Sequence, residues 1–485
     1  MFYPPANVNG RKKGAAALSF MPMSCSQNGS RLALFLSSLS FFLFLYSYVC
    51  TFNNGGGKNI GVAWLANRAN SMLIPESGSD SCSGRYIYVH NLPPQFNQDI
   101  LRNCHSLIKY FDMCPYISNL GFGPKILNSQ GVFQDDGWFL TSQFMLEVIF
   151  HRRMKQYQCL TNDSSAASAI FVPFYAGLDV GRYLWDFNTS VRDSAPIRLL
   201  RWLTQKPEWK RMWGRDHFLI TGRICWDFRR KTSSESDWGN KFMFMPEAKN
   251  MTILGIESST AAGGDIGIPY PTYFHPSSDG EVFQWQERMR MQRREYLYSF
   301  AGASRPEMSD SIRGDIIDQC RASGEKCKFL DCDPSSKKCD DPANVMRMFQ
   351  KSRFCLQPPG DSYTRRSTFD CILGGCIPVF FDRGSAYAQY LWHLPRNYTS
   401  YSVFIPARSV REREVKIEDV LGGISEEEVL GMREEVIRLI PGVVYADPMC
   451  PLKTFKDAFD IAVKGVLQRV DRIRREEEQQ TGIRF

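Results

Sequence analysis

The sequence predicts an α/β protein built on parallel sheets. From residue 85 onward, short apolar runs of strand length alternate with stretches of helical periodicity. Gly and Pro punctuate those runs. A hydrophobic content of 43% with 13% aromatics is enough for a large packed core. In order, Arg85–His90 reads as a strand and Trp138–Arg153 as an amphipathic helix. Ala169–Phe174 reads as a buried strand ending at Pro173, Ile197–Leu203 as a helix and His217–Thr221 as a strand. The basic amphipathic stretch Glu281–Tyr296 bridges to a second α/β unit. That unit opens with Leu297–Gly302 and Ser311–Cys320 and runs through Val345–Phe349, Phe354 and Val379. Ser425–Leu439 and Phe455–Arg474 read as helices.

The 485 residues suit two or three domains. Lys and Arg total 59 against 51 Asp and Glu, a net charge of +8 with the signs intermingled. No long basic run exists, which argues against nucleic-acid binding. Leu32–Phe52 carries no charged residue and is long enough to span a bilayer. Arg11, Lys12, Lys13 and Arg31 precede it, so the expected topology is a cytosolic N-terminus and a luminal bulk. The run is longer and more aromatic than the core of a cleaved signal peptide, so a retained signal anchor is expected. The predicted organisation is a cytosolic tail (1–31), a transmembrane anchor (32–52), a Gly/Ser/Asn-rich luminal stem (53–82), and two domains, 83–285 and 286–485. A lumen also suits the sequons at Asn162, Asn188, Asn250 and Asn397. Cys320, Cys327, Cys332 and Cys339 lack zinc-ribbon spacing and read as a disulfide-stapled loop of unknown pairing. Thirteen cysteines follow the anchor, so at least one is unpaired unless Cys50 takes part.

The richest stretch is Phe354–Phe381. Phe354–Leu356 ends a strand, and Pro358, Pro359 and Gly360 break it. Asp361 or Ser362 is expected to cap the helix that follows. Arg365 and Arg366 lie in its first turns, against the usual dipole preference. Cations at a helix start point to an anion there, and Arg offers the planar fork that fits phosphate. Asp370, one turn further on, can accept from a sugar diol. Gly374–Gly375 ends the helix, and Ile377–Phe381 is a buried strand.

This segment resembles the C-terminal signature of the exostosin-type glycosyltransferases (family 47). Arg85–Pro93, Ala169–Gly177, Gly214–Phe218, Gly267–Pro271 and Ser299–Pro306 fit in the expected order, so the resemblance covers roughly residues 83 to 470. Asp227–Arg230, Tyr270–Pro276 and Ala386–Pro395 most resemble the plant xyloglucan galactosyltransferase branch. The resemblance implies a GT-B architecture, two Rossmann-like domains facing a cleft. It implies transfer of galactose from UDP-galactose to xylosyl side chains of xyloglucan, with inversion, in the Golgi membrane. Complexes with other glycosyltransferases are a further expectation. Sibling activities with galacturonic acid or arabinose, or on xylan or pectin, remain open, as does a role as a non-catalytic subunit of a transferase complex.

Arg305 and Arg313 follow the strand Tyr298–Gly302 and, with Gly360, Ser362, Arg365 and Arg366, are expected to hold the donor diphosphate. By resemblance Asp370 holds the donor ribose. An inverting transfer also needs a base on the acceptor side. Asp136 is nominated first and His217 second, with His275 a third choice, although helix capping and core packing are equally available roles. Asp331-Cys332-Asp333 matches the Asp-x-Asp of metal-dependent transferases but lies in the Cys-rich loop, so no metal and no cofactor beyond the UDP-sugar are expected. Trp138, Trp226 and Tyr273 are candidates for stacking on sugar rings.

Overall fold

The alternation predicts two sheets, and two form. The computed structural model describes residues 80–481 apart from 128–129 and 260–263. The tail, the spanning segment and nearly all of the stem lie outside these residues. Among the described residues no helix is long and apolar enough to cross a membrane. The described residues from Gly84 onward form one compact unit.

The first sheet contains β1 (Tyr86–Val89), β2 (Leu160–Thr161), β3 (Ala167–Phe171), β4 (His217–Thr221), β5 (Thr252–Gly255) and β6 (Asp265–Gly267), in the order β2-β1-β3-β4-β5-β6. Every neighbouring pair is parallel. The second contains β7 (Tyr296–Gly302), β8 (Cys327–Asp331), β9 (Ser352–Gln357), β10 (Ile377–Phe380) and β11 (Val403–Phe404), ordered β11-β10-β9-β7-β8 and again all parallel. β3 and β4 are buried along their whole length, as strands covered on both faces must be. Phe171, Phe218 and Leu254 of the first sheet and Tyr298, Phe354 and Val379 of the second belong to one continuous core.

Local chemistry explains several boundaries. Ser278 caps the helix Asp279–Met291 through a bond from Glu281 N at 3.3 Å. Ser425 and Glu428 form a reciprocal capping box at the start of Glu426–Leu439. Gly374 closes Arg366–Leu373, and Gly375 follows at a φ of +62°, which glycine adopts without cost. Asp361 and Ser362 do not cap that helix, because its N-cap position falls on Arg365.

The fold differs from the sequence reading at three further points. The helix predicted from Trp138 starts only at Leu146, after a single 3-10 turn over Gln143–Met145. Trp138 itself forms a bridge to Phe274 and stacks on its ring at 4.8 Å, fully buried, so it is core and not a sugar platform. The last helix, Ala458–Thr481, falls within the predicted second domain, 286–485. It packs against the first sheet: Arg474 Nη2 donates to Ser168 O at 2.8 Å and Arg469 Nε to Thr252 Oγ1 at 3.1 Å.

The Cys-rich loop is stapled as Cys320–Cys327 and Cys332–Cys339, and Cys104–Cys114 and Cys355–Cys371 are also bonded. Cys225 and Cys376 are free and buried. All four sequon asparagines, Asn162, Asn188, Asn250 and Asn397, are exposed.

Candidate active site

In parallel sheets ligands bind beyond the carboxyl ends of the strands. A cavity of about 330 Å³ lies there, walled by both sheets. From the first sheet come Ile224 and Asp227 after β4, Ile256 after β5, and Tyr270 and Tyr273 after β6. From the second come Gly302 at the end of β7, Arg305 and Arg313 after it, Cys332 after β8, and the loop and helix after β9 with Asp361, Ser362, Arg365, Arg366 and Asp370.

The second-sheet wall is cationic. Arg313 is buried; its Nε donates to Pro359 O at 3.1 Å and its Nη1 to Ala303 O at 3.4 Å. Burial, with the fields of Arg365 and Arg305, pulls its guanidinium down to about 9. Arg305 lies 3.7 Å from Asp361 Oδ1 and 3.6 Å from Glu307. Arg365 forms no ion pair among the described residues; burial lowers its pKa, and only the fields of Tyr270 and Asp361 oppose this. Its guanidinium lies against Gly360, where a Cβ would stand 1.8 Å from Nη1. Gly360 therefore makes room for Arg365.

Arg366 has a different position from its neighbour. Its Nε is 3.2 Å from Asp370 Oδ2, its Nη1 donates to Thr141 O, and its guanidinium carbon lies 3.6 Å above the centre of the Tyr273 ring. It joins the two halves of the cleft. Asp370 is buried, not exposed; its Oδ2 takes Arg366, its Oδ1 has no hydrogen-bond partner among the described residues, and burial pushes its pKa up to about 6. A buried acceptor on a cavity wall is suited to a ligand hydroxyl.

The first-sheet wall also holds the arginine loop in place. Glu257 Oε2 accepts from Thr364 N at 3.2 Å and Thr364 Oγ1 at 2.8 Å, and its Oε1 takes the Cys225 thiol at 3.3 Å. Tyr270 Oη lies 3.0 Å from Thr364 Oγ1.

Neither nominated base reaches the cavity. Asp136 is on an exposed loop, paired with Lys125 at 2.8 Å. His217 is the first residue of β4, at the amino end of the sheet, away from the cleft. Its Nδ1 meets Asp216 Oδ1 at 2.7 Å and its Nε2 lies 3.2 Å from His90, with no exposed surface. His275 stacks on Phe122 at 3.8 Å, and burial lowers its pKa to about 3. Asp331 and Asp333 bond within their own loop: Asp331 Oδ1 accepts from Asp333 N at 3.0 Å and Asp333 Oδ1 from Ser335 N at 2.9 Å. The acid that the first sheet does bring into the cavity is Asp227, which the sequence singled out only as part of a motif. Its Oδ2 takes Arg223 and its Oδ1 accepts the Trp238 indole N–H at 2.6 Å. The signal that would have found it is position: it follows the carboxyl end of β4, whereas His217 begins the strand at its amino end.

The exostosin GT47 domain matches residues 81–421. The chain is 58% identical over 400 residues to the xyloglucan galactosyltransferase MUR3 of Arabidopsis thaliana, covering 82% of this chain and 64% of that protein. It is 50% identical over 442 residues to the probable xyloglucan galactosyltransferase GT12 of the same plant, covering 90% of this chain and 86% of that one. It is 42% identical over 394 residues to the xyloglucan-specific galacturonosyltransferase 1 of Arabidopsis thaliana, covering 80% of this chain and 58% of that one. The chain belongs to the exostosin GT47 family of glycosyltransferases.

Proposed function

We propose that this enzyme transfers galactose from UDP-galactose to xylosyl side chains of xyloglucan, inverting the sugar to a β-linkage. The observation that carries the reading is Arg365: a cleft-wall guanidinium with no ionic partner among the described residues, beside Arg305 and Arg313 at the carboxyl end of a parallel sheet. The names of the relatives supply the donor and acceptor classes.

In this reading Arg305, Arg313 and Arg365 take the diphosphate, where negative charge grows as the bond to the sugar breaks. Gly360 and Ser362 shape the loop around it. The unpartnered Asp370 oxygen accepts from the ribose diol. Arg366 holds Asp370 and Tyr273 in place. The acceptor hydroxyl attacks the anomeric carbon from the face opposite the leaving UDP, and its proton passes to Asp227 as the new bond forms. Three cations supply the charge that a divalent metal supplies elsewhere, so the reaction is expected to need none. The uncharged run at 32–52, with the basic residues before it, supports a type II anchor in the Golgi membrane with the catalytic part luminal.

The test is incubation of the full-length chain with each UDP-sugar and xyloglucan oligosaccharides, with and without EDTA, reading product masses. A hexose added from UDP-galactose, unchanged by EDTA, is expected. A second reading, transfer of galacturonic acid, is favoured by the cationic wall, which suits a uronate as well as a phosphate, and by the galacturonosyltransferase relative. Mass added only from UDP-galacturonic acid would select it, and no transfer from any donor by a folded protein would refute both.

A further inference from the structure

Asp227 leads out of the cavity onto an aromatic surface. The Trp238 ring that donates to Asp227 stands edge-on to Trp185, with centroids 5.5 Å apart, and Trp185 stands edge-on to Tyr110 at 5.3 Å. Trp226, the residue before Asp227, is 54% exposed, Trp238 42% and Tyr110 37%. Beside Trp238 lies a shallow concavity of about 380 Å³, edged by Phe187 and Asn188. Single exposed apolar residues are ordinary, but a contiguous row of large rings is not. The row Trp238, Trp185 and Tyr110 is joined to the cavity through the Trp238 indole bond to Asp227.

A pyranose ring has an apolar C–H face and a rim of hydroxyls. Flat aromatic side chains with a polar handle match it, and here charged groups flank the row: Lys109 pairs with Asp186, and Asp237 borders the concavity. The row itself carries no charge, so its chemistry fits a neutral polysaccharide. Continuity fixes the direction. The second-sheet wall is filled by the arginine loop, so a polymer that offers one hydroxyl to Asp227 must leave along the first-sheet side.

We propose that Trp226, Trp238, Trp185 and Tyr110 form the acceptor subsites, binding several backbone residues of a neutral β-glucan while one branch sugar reaches Asp227. This rests on the transferase reading above and adds to it the polymer track. It follows that acceptor affinity grows with oligosaccharide length until Tyr110 is covered.

Full-length wild type, Tyr110→Ala and Trp226→Ala would be titrated calorimetrically with xyloglucan oligosaccharides of two lengths and, separately, with UDP. Transfer kinetics would be measured on the same samples, with thermal unfolding as the folding control. Tyr110→Ala is expected to weaken the long oligosaccharide on the order of tenfold and to leave the short one and UDP within about twofold. Trp226→Ala, at the residue next to Asp227 in the chain, is expected to weaken both lengths. Equal affinity of wild type for both lengths, or unchanged binding in both variants, overturns the track. Because binding is read without turnover, failure to transfer from any donor defeats the transferase reading and leaves the track to be decided by the titrations. A glycan on Asn188 is the rival occupant. If the glycosylated protein binds no oligosaccharide and Asn188→Gln restores binding, the row is covered by the protein's own glycan and the proposal fails.

Discussion

The Arg365 guanidinium lies against Gly360, with Nη1 1.8 Å from where a β-carbon at that position would stand. Glycine is therefore needed here for space and not for its φ. Gly360→Ala forces the Arg365 side chain to another rotamer while the backbone stays as it is. The expected result is a drop in UDP affinity on the order of tenfold by calorimetry. The thermal midpoint should move by no more than about 2 °C, since a flexible side-chain end gives way. Unchanged UDP binding would mean that Arg365 does not contact the donor.

The two neighbouring arginines are expected to fail differently. Arg365 shares the cleft wall with Arg305 and Arg313 and has no ion pair among the described residues, so Arg365→Ala relieves repulsion among these cations. Donor binding and turnover should collapse with no loss of stability. Arg366 is tied to Asp370, Thr141 and Tyr273, with 13% of its side chain exposed. Arg366→Ala leaves Asp370 buried without its cation, which costs about 3 kcal/mol. Denaturant unfolding of the two variants checks this, and equal stabilities would contradict the division of labour.

Asp370 sets a pH dependence. Burial raises its pKa from 3.8 to about 6. Between those values the folded protein holds a proton that the unfolded chain has released, so this group's contribution to stability falls as pH rises through that window. The charge that receives the ribose diol is complete only above about pH 6. UDP affinity is therefore expected to fall as pH drops below 6, and Asp370→Asn should flatten that limb. A limb that persists in Asp370→Asn would assign it to another group.

How much of this was legible in the sequence depended on how local the cause was. Pro358-Pro359-Gly360, the paired arginines and Gly374-Gly375 are read within one turn of chain, and the strand, loop, helix and strand formed as expected. The cap was misread because Asp361 faces Arg305, a residue far away in sequence. His217 and Asp227 flank the same strand. Choosing between them needs the direction of that strand relative to a cleft that only the second sheet defines. Asp136 looked functional because acids before a helix often are, but its helix starts ten residues later and its carboxylate faces solvent. The burial of Trp138 rests on Phe274 and Trp285, both well over a hundred residues downstream.

Asp227 gives the sharpest test of the chemistry. It is the first-sheet carboxylate on the cavity wall, and Arg223 and Trp238 fix both of its oxygens, which orients it without filling its remaining lone pairs. Asp227→Asn keeps the shape and removes the proton acceptor. Turnover is expected to fall by about 10²–10⁴-fold, the usual contribution of general-base catalysis, while UDP affinity stays within about twofold. The parallel substitutions Asp136→Asn and His217→Gln should leave turnover per folded molecule unchanged, since neither side chain lines the cavity. His217→Gln should still lower stability by breaking the buried contacts to Asp216 and His90. If Asp227→Asn retains turnover while Asp136→Asn loses it, the acceptor side of the cleft has been assigned to the wrong wall, and the loop carrying Asp136 must move in to meet the sugar.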